Sequence, residues 1–174
     1  MSDADVVHYE RVPDGGIWQV DLKNGVQMLV DTDYVGLDDD PVDFGSPLRI
    51  GSQSFGEPFA WMPSSAVINR GIRRKEGAIS RIANRPREAF LSHSPLPVWE
   101  LALSEEVIVH VKADAVVYSD RFVEFAVNLH DASETWMEAI LRVERAAVTE
   151  ISLCRKHSAP YDLRPGPTFT GETP

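Results

Sequence analysis

Residues 107–130 read VIVHVKADAVVYSDRFVEFAVNLH, and this stretch decides the fold because two runs of alternating apolar residues flank one polar break. Apolar side chains occupy every second position over 107–117 and again over 123–129. A period of two is typical of a β-strand with one buried face. The polar break at 119–121 therefore predicts a hairpin over about 107–130.

The register of this hairpin follows from the alternation. A three-residue loop pairs Val117 with Val123, because this register brings both apolar sets to one face. The polar face then places His110 opposite His130, with Glu124 nearer the turn. These three residues are the candidates for acid–base catalysis, and the two imidazoles are the candidate metal ligands. A solvated sheet face has the same composition, and it is the interpretation we favour.

A second hairpin is predicted over about 17–31, where apolar residues alternate on both sides of a turn at 23–25. A three-residue loop pairs Val20 with Met28 and brings every apolar side chain to one face, whereas a two-residue turn would mix the faces. This register requires Gly25 to adopt a positive φ.

Residues 132–146 are predicted to form a helix. Trp136 and Ile140 are separated by one helical turn, and Asp131 with Glu134 resembles a capping pair at a helix start. The rival interpretation is a strand, because apolar residues also alternate over 137–143.

Three further segments complete the predicted organisation. The proline and glycine content of 31–63 predicts a long loop, held to the core by its aromatic residues. Alternation over about 148–155 predicts a closing strand. Residues 156–174 contain four prolines and no periodicity, which is typical of a tail.

The predicted fold class is α+β and mainly antiparallel β, with two hairpins (17–31 and 107–130), one helix (132–146) and a closing strand (148–155). The alternative is an all-β barrel or sandwich. We expect one compact domain over 1–155, followed by the Pro-rich C-terminal tail 156–174.

Charge is unevenly distributed along the chain, whose formal net charge is −10. Residues 31–43 hold six aspartates and no basic residue, whereas residues 70–87 hold seven basic residues and one acidic residue. Segregated charge is typical of solvated loops and also of surfaces that bind a charged partner or a second copy. The candidate partner-binding residues come from these stretches and from the tail: Arg70, Arg73, Arg74, Lys75, Arg81, Asp38, Asp39, Asp40, Tyr161 and Phe169.

The absence of several motifs narrows the function. The sequence contains no phosphate-binding loop, metalloprotease His-Glu-x-x-His pair or hydrolase Gly-x-Ser-x-Gly elbow, so we expect no cofactor. Cys154 is the single cysteine, which excludes an internal disulfide; we expect it to be partly exposed and unreactive. No secretory signal or long apolar stretch is present, so we expect a cytoplasmic protein without membrane contact.

These observations favour a non-catalytic protein-binding or assembly component, such as an inhibitor, an immunity-like protein or a structural subunit. Its partner would be another protein or further copies of itself. The first alternative is a small enzyme or ligand-binding β-domain that uses the His110 and His130 face. The second is a nucleic-acid accessory protein acting through 70–87, which the net charge makes a less favoured partner class.

Overall fold

The computed structural model describes residues 7–10, 16–32, 34–36, 40–50, 53–75, 88–92 and 96–154. This part of the chain is mainly antiparallel β, as predicted. The strands are β1 (Val7–Glu10), β2 (Gly16–Leu22), β3 (Gln27–Thr32), β4 (Tyr34–Gly36), β5 (Val42–Ile50), β6 (Gln53–Met62), β7 (Val67–Arg74), β8 (Glu88–Leu91), β9 (Val98–Leu103), β10 (Ile108–Lys112), β11 (Ala115–Tyr118), β12 (Phe122–His130), β13 (Thr135–Glu144) and β14 (Val148–Leu153). The helical elements among the described residues are short 3-10 turns at Ser64–Ala66, Ser104–Glu106 and Arg145–Ala147.

The strands form one hydrogen-bonded order, β14-β9-β10-β6-β5-β1-β8-β12-β13-β3-β2-β7, with β11 attached to β12 and β4 to β5. Residues from both ends of this order, including Val20 and Leu101, belong to one buried apolar cluster. The sheet therefore folds over its own core, as in a β-sandwich. Within the described residues the end strands β14 and β7 do not pair with each other, so no barrel closes.

The hairpin predicted over 17–31 is confirmed, including its register. Val20 lies opposite Met28 in the β2–β3 pair, and both side chains are fully buried. The Gly25 N–H donates to the carbonyl of Leu22 at 3.0 Å, and Gly25 has a φ of +82°. The alternation of apolar residues was sufficient to predict the register here, because the core-facing side chains stay at every second position along both strands.

The hairpin predicted over 107–130 is correct in position but wrong in extent and register. Residues 108–112 form β10, which pairs with β9 and β6, and only 115–118 pair with β12. Tyr118 lies opposite Val123, and the Ser119 N–H donates to the Phe122 carbonyl at 2.9 Å, so the tight turn holds the two residues Asp120 and Arg121 rather than three.

A bend at Ala113 and Asp114 causes this difference. Asp114 is 1% exposed, and its carboxylate accepts a hydrogen bond of 2.6 Å from the backbone N–H of Asn128. Before the bend the odd-numbered residues, such as Val111, face the core. After the bend an even-numbered residue, Val116, faces it instead. Apolar residues occupy both phases after the bend, so alternation alone could not detect the change.

The helix predicted over 132–146 is wrong, and the rival strand interpretation is correct: 135–144 form β13. The register to β12 shifts where Phe125 pairs with Leu141 and Ala126 pairs with Ala139. Ile140 is the extra residue of this β-bulge, and a bulge reverses the faces of the residues that follow it. The adjacent residues Ile140 and Leu141 are therefore both buried. This break in the alternation gives the apolar residues a spacing that resembles that of a helix.

The long loop predicted over 31–63 is also wrong, because this segment contains all of β4, β5 and β6. Its prolines are accommodated in the β5–β6 ladder, where Pro47 pairs with Gly56 and Pro58 pairs with Gly45. A register shift beside Gly45 supplies the irregularity that a proline in a strand requires. The closing strand is confirmed at 148–153, and the tail 156–174 lies outside the described residues.

Candidate functional site

The two histidines predicted to face each other lie on different strand pairs. His110, on β10, is opposite Glu100 on β9 and Trp61 on β6. His130 ends β12 and is opposite Thr135 on β13. The predicted His110–His130 pair is therefore wrong, because β10 pairs with β9 and β6 and only 115–118 pair with β12.

His110 instead belongs to a cluster with Glu100 and Cys154. The His110 Nε2 atom is 3.8 Å from a carboxylate oxygen of Glu100, and one potential ligand atom from each of the three residues lies within 4.8 Å of the other two. Cys154 is 6% exposed, so the expectation of a partly exposed thiol is wrong. The side chains of His110 and Glu100 are 21% and 38% exposed, which leaves the cluster open to solvent on one side.

The sheet register explains why these residues meet. Trp61, His110, Glu100 and Ser152 are successive cross-strand neighbours on β6, β10, β9 and β14, so they share one face. Cys154 lies two positions beyond Ser152, on the same face, and its N–H donates to the carbonyl of Val98 at 2.8 Å. This backbone bond holds the main chain of Cys154 beside β9, next to the row.

Trp61 fixes the orientation of the His110 ring. The two rings are stacked, with centroids 5.4 Å apart and planes inclined by 9°. The ammonium group of Lys112 lies 5.8 Å from the centroid of the Trp61 ring. Stacking restricts rotation of the His110 side chain and so limits the positions that its ring nitrogens can occupy.

Glu124 lies apart from both histidines. Its carboxylate accepts two hydrogen bonds from Arg142 on β13, at 2.6 and 3.0 Å. The pair borders a cleft of about 200 Å³ that is also lined by Ile17, Leu29, Asp31, Ala139, Ile140 and Leu141. This cleft combines an apolar floor with one ion pair, and no candidate nucleophile or histidine lies among its described lining residues.

His130 lies beside Ser92, with the Ser92 Oγ and His130 Nδ1 atoms 3.2 Å apart. The neighbouring Asp131 organises the β12–β13 turn: its Oδ1 accepts from the N–H and hydroxyl of Ser133 and from the N–H of Glu134, at 2.7 to 2.9 Å. These hydrogen bonds, the one from the Ser133 N–H above all, hold the pKa of Asp131 below its usual value.

Three basic residues, Arg70, Arg73 and Arg74, lie on β7 at one end of the described strand order, and Lys75 follows the strand; all four are exposed. Arg73 forms an ion pair of 2.7 Å with Asp21 on β2. A hydrogen bond from Gln19 and, to a smaller extent, the contact with Arg73 hold the pKa of Asp21 below its usual value. The Arg74 guanidinium lies against Gly16, where a side chain would come within 2.9 Å of it.

A bulge interrupts β7 between its two paired regions. The register to β2 shifts between the pairs Val20–Ile72 and Leu22–Val67, and Arg70 within the bulge has a φ of +58°. A Cβ atom at Gly71 would lie 2.7 Å from the Asp21 carbonyl oxygen. Glycine at this position therefore permits the close approach of β7 to β2 that the bulge requires.

The acidic stretch is described in part. Asp40 is exposed, and its carboxylate accepts a hydrogen bond of 3.0 Å from the N–H of Ser64. The other predicted partner-binding residues lie outside the described residues: Asp38, Asp39, Arg81, Tyr161 and Phe169.

Sequence reasoning identified His110 but missed its association with Glu100 and Cys154. One local signal was present, because Leu101 and Leu103 alternate just before a polar turn at 104–106. A three-residue loop there places Glu100 opposite His110, as the structure does. The approach of Cys154 depends on the long-range β9–β14 pairing, for which the sequence holds no local signal.

No family model, curated protein or solved structure matches this chain. Among the described residues there is no helix with the length and apolar composition needed to cross a membrane.

Proposed function

We propose that this protein is a non-catalytic, cytoplasmic protein-binding or assembly component that uses β7 to contact an acidic protein surface. The observation that carries this proposal is a group of four exposed cations in a chain with a net charge of −10: Arg70, Arg73 and Arg74 lie on β7, at one end of the described strand order, and Lys75 follows it. The opposite charge of the rest of the molecule makes a second copy one such surface, and another acidic protein is the other.

The four cations differ in the contacts that they make with the rest of the fold. Arg73 is paired with Asp21 and stabilises the β2–β7 contact, and Arg74 packs over Gly16. Arg70 lies in the bulge and Lys75 follows the strand, and both side chains are exposed. Arg70 and Lys75 are therefore the residues whose charge can be changed with least effect on the fold.

The alternatives receive less support from the geometry. The enzyme hypothesis required His110 and His130 on one face, and the register separates them. The nucleic-acid hypothesis required uncompensated basic charge, whereas Arg73 is neutralised by Asp21. Cations on an end strand also protect a sheet from unwanted pairing, so the proposal needs a direct test.

The test compares the double variant Arg70→Glu, Lys75→Glu with the matched control Lys23→Glu, Arg121→Glu. Lys23 and Arg121 are exposed turn residues, so both variants change the net charge equally. Native mass spectrometry and sedimentation velocity of protein purified from its own cells report the assembly. We expect a complex for the wild type and the control, and its loss in the β7 variant.

Raising the salt concentration should also weaken the wild-type complex, because contacts between exposed charges are screened. A wild-type protein that sediments as a bare monomer at low salt would contradict the proposal. Equal assembly of both double variants would contradict the role of β7.

A further inference from the structure

We propose that Glu100, His110 and Cys154 bind one Zn²⁺ ion through a carboxylate oxygen, an imidazole nitrogen and a thiolate sulfur. This inference is independent of the protein contact proposed for β7. It rests on the convergence of three different ligand types from β9, β10 and the residue after β14 on one face of the sheet.

The distances are close to those that zinc requires. Typical bonds are about 2.3 Å to sulfur and about 2.0 to 2.2 Å to nitrogen and oxygen, so tetrahedral ligand atoms lie roughly 3.3 to 3.8 Å apart. The Glu100 and His110 atoms are already separated by 3.8 Å, and the largest separation in the cluster is within 4.8 Å. Side-chain rotations that move ligand atoms by about 1 Å complete the geometry.

The ligand set selects the metal. A thiolate with an imidazole disfavours Mg²⁺ and Ca²⁺, which prefer oxygen ligands, and suits Zn²⁺. Two anionic ligands balance the charge of the ion, and the Cys154 thiol releases its proton to solvent as the sulfur–zinc bond forms. Three protein ligands leave a fourth position for water on the solvent-exposed side of the cluster.

The surroundings favour a preorganised site. Stacking on Trp61 restrains His110, and the backbone bond from Cys154 to Val98 holds the main chain of Cys154 beside β9. Burial of Cys154 reduces competition from water at the sulfur. The metal would also add bonds between β9, β10 and the residue after β14, so its binding should raise the unfolding temperature.

Cobalt substitution provides a specific test because Cys154 is the single cysteine of the chain. Any thiolate-to-cobalt charge-transfer absorption in the near ultraviolet must come from this residue. We expect one Co²⁺ or Zn²⁺ per chain by native mass spectrometry, the charge-transfer band with Co²⁺, and loss of that band in Cys154→Ala. Circular dichroism checks that the variant folds.

Ligand variants with matched controls complete the test. Glu100→Gln and His110→Ala should each weaken Zn²⁺ binding at least about tenfold, measured by competition with a chelating indicator. Glu105→Gln and His130→Ala remove the same groups outside the cluster and should leave the affinity unchanged. Glu100 is partly exposed, so its variant remains informative if His110→Ala misfolds.

Three outcomes would overturn the site. They are the absence of a thiolate band with Co²⁺, one metal shared between two chains, and equal loss of affinity in the control variants. The double variant Arg70→Glu, Lys75→Glu should retain the band, which separates this result from the test of β7.

Discussion

Asp131 shows how one residue can satisfy two sequence patterns. Its spacing from Glu134 resembles a helix capping pair, and its carboxylate does accept the backbone N–H of Glu134. The same bond closes a hairpin turn when a strand follows, and the Asp131 N–H donates to the Glu134 carbonyl at 3.0 Å. The local hydrogen bonds were therefore predictable, whereas the element that follows them was not.

The turn at Asp131 should make stability depend on pH. Because the folded state lowers the pKa of this carboxyl below 3.8, its stabilising contribution is complete above that value and is lost as the pH falls through the lower folded pKa. We expect Asp131→Ala to reduce the free energy of unfolding at pH 7 and to differ less from the wild type at pH 3. Urea unfolding at both pH values measures this difference.

Ser133→Ala provides a graded control, because it removes the hydroxyl donor and keeps the two backbone donors. An NMR titration should place the pKa of Asp131 in this variant above the wild-type value, since one hydrogen bond to the carboxylate is lost. A gap between Asp131→Ala and the wild type that widens as the pH falls would contradict this account.

At the scale of elements, a strand was predicted correctly when its buried side chains alternate along its whole length. β2 and β3 alternate without interruption, and their register and the φ of Gly25 were predicted correctly. β13 contains a bulge at Ile140, and the chain between β10 and β11 bends at Asp114. Each irregularity shifts the apolar pattern by one residue, and the wrong predictions for 107–130 and 132–146 lie at these places.

The pair between Glu124 and Arg142 should couple β12 to β13. The two residues are direct cross-strand neighbours, and both hydrogen bonds reach one carboxylate oxygen. We expect a coupling free energy of about 0.5 to 1 kcal/mol in a double-mutant cycle of Glu124→Ala and Arg142→Ala. Urea unfolding of the four proteins measures this coupling.

Arg142 also lies over the Phe122 ring at 4.7 Å, so Arg142→Ala alone should cost more than Glu124→Ala alone. The cycle removes this additional loss from the coupling term. Strictly additive single substitutions would show that the ion pair contributes nothing to the stability of the β12–β13 contact.

At the scale of the whole molecule, the strand order joins distant parts of the chain. The N-terminal hairpin β2–β3 is attached to β13, and the last strand, β14, is attached to β9. None of these long-range pairings has a local sequence signal, which is why the predicted elements could not be arranged into a topology. For the same reason the sequence did not predict the cluster of Glu100, His110 and Cys154, since Cys154 reaches the other two residues only through the pairing of β14 with β9.

One shared core should make the described region unfold as one cooperative unit. Met28 and Leu101 are fully buried and lie in distant parts of the strand order. We expect Met28→Ala and Leu101→Ala each to destabilise the protein by about 2 to 5 kcal/mol. Hydrogen exchange should show reduced protection in both β2 and β9 for either variant.

Two independently folding units would give a different exchange pattern. Met28→Ala would then reduce protection in β2 and leave β9 unchanged, and Leu101→Ala would do the reverse. Ile108→Ala is a suitable control, because Ile108 is 37% exposed and its truncation should have a much smaller effect on both strands.

The bulge in β7 has a consequence for how large an assembly of this protein can become. A regular end strand can template another strand through its free backbone groups, and repeated templating produces fibres. A strand interrupted at Arg70 and Gly71 is a poor template, so the contact proposed for β7 would depend on its charged side chains instead. The bulge therefore opposes open-ended growth by strand pairing.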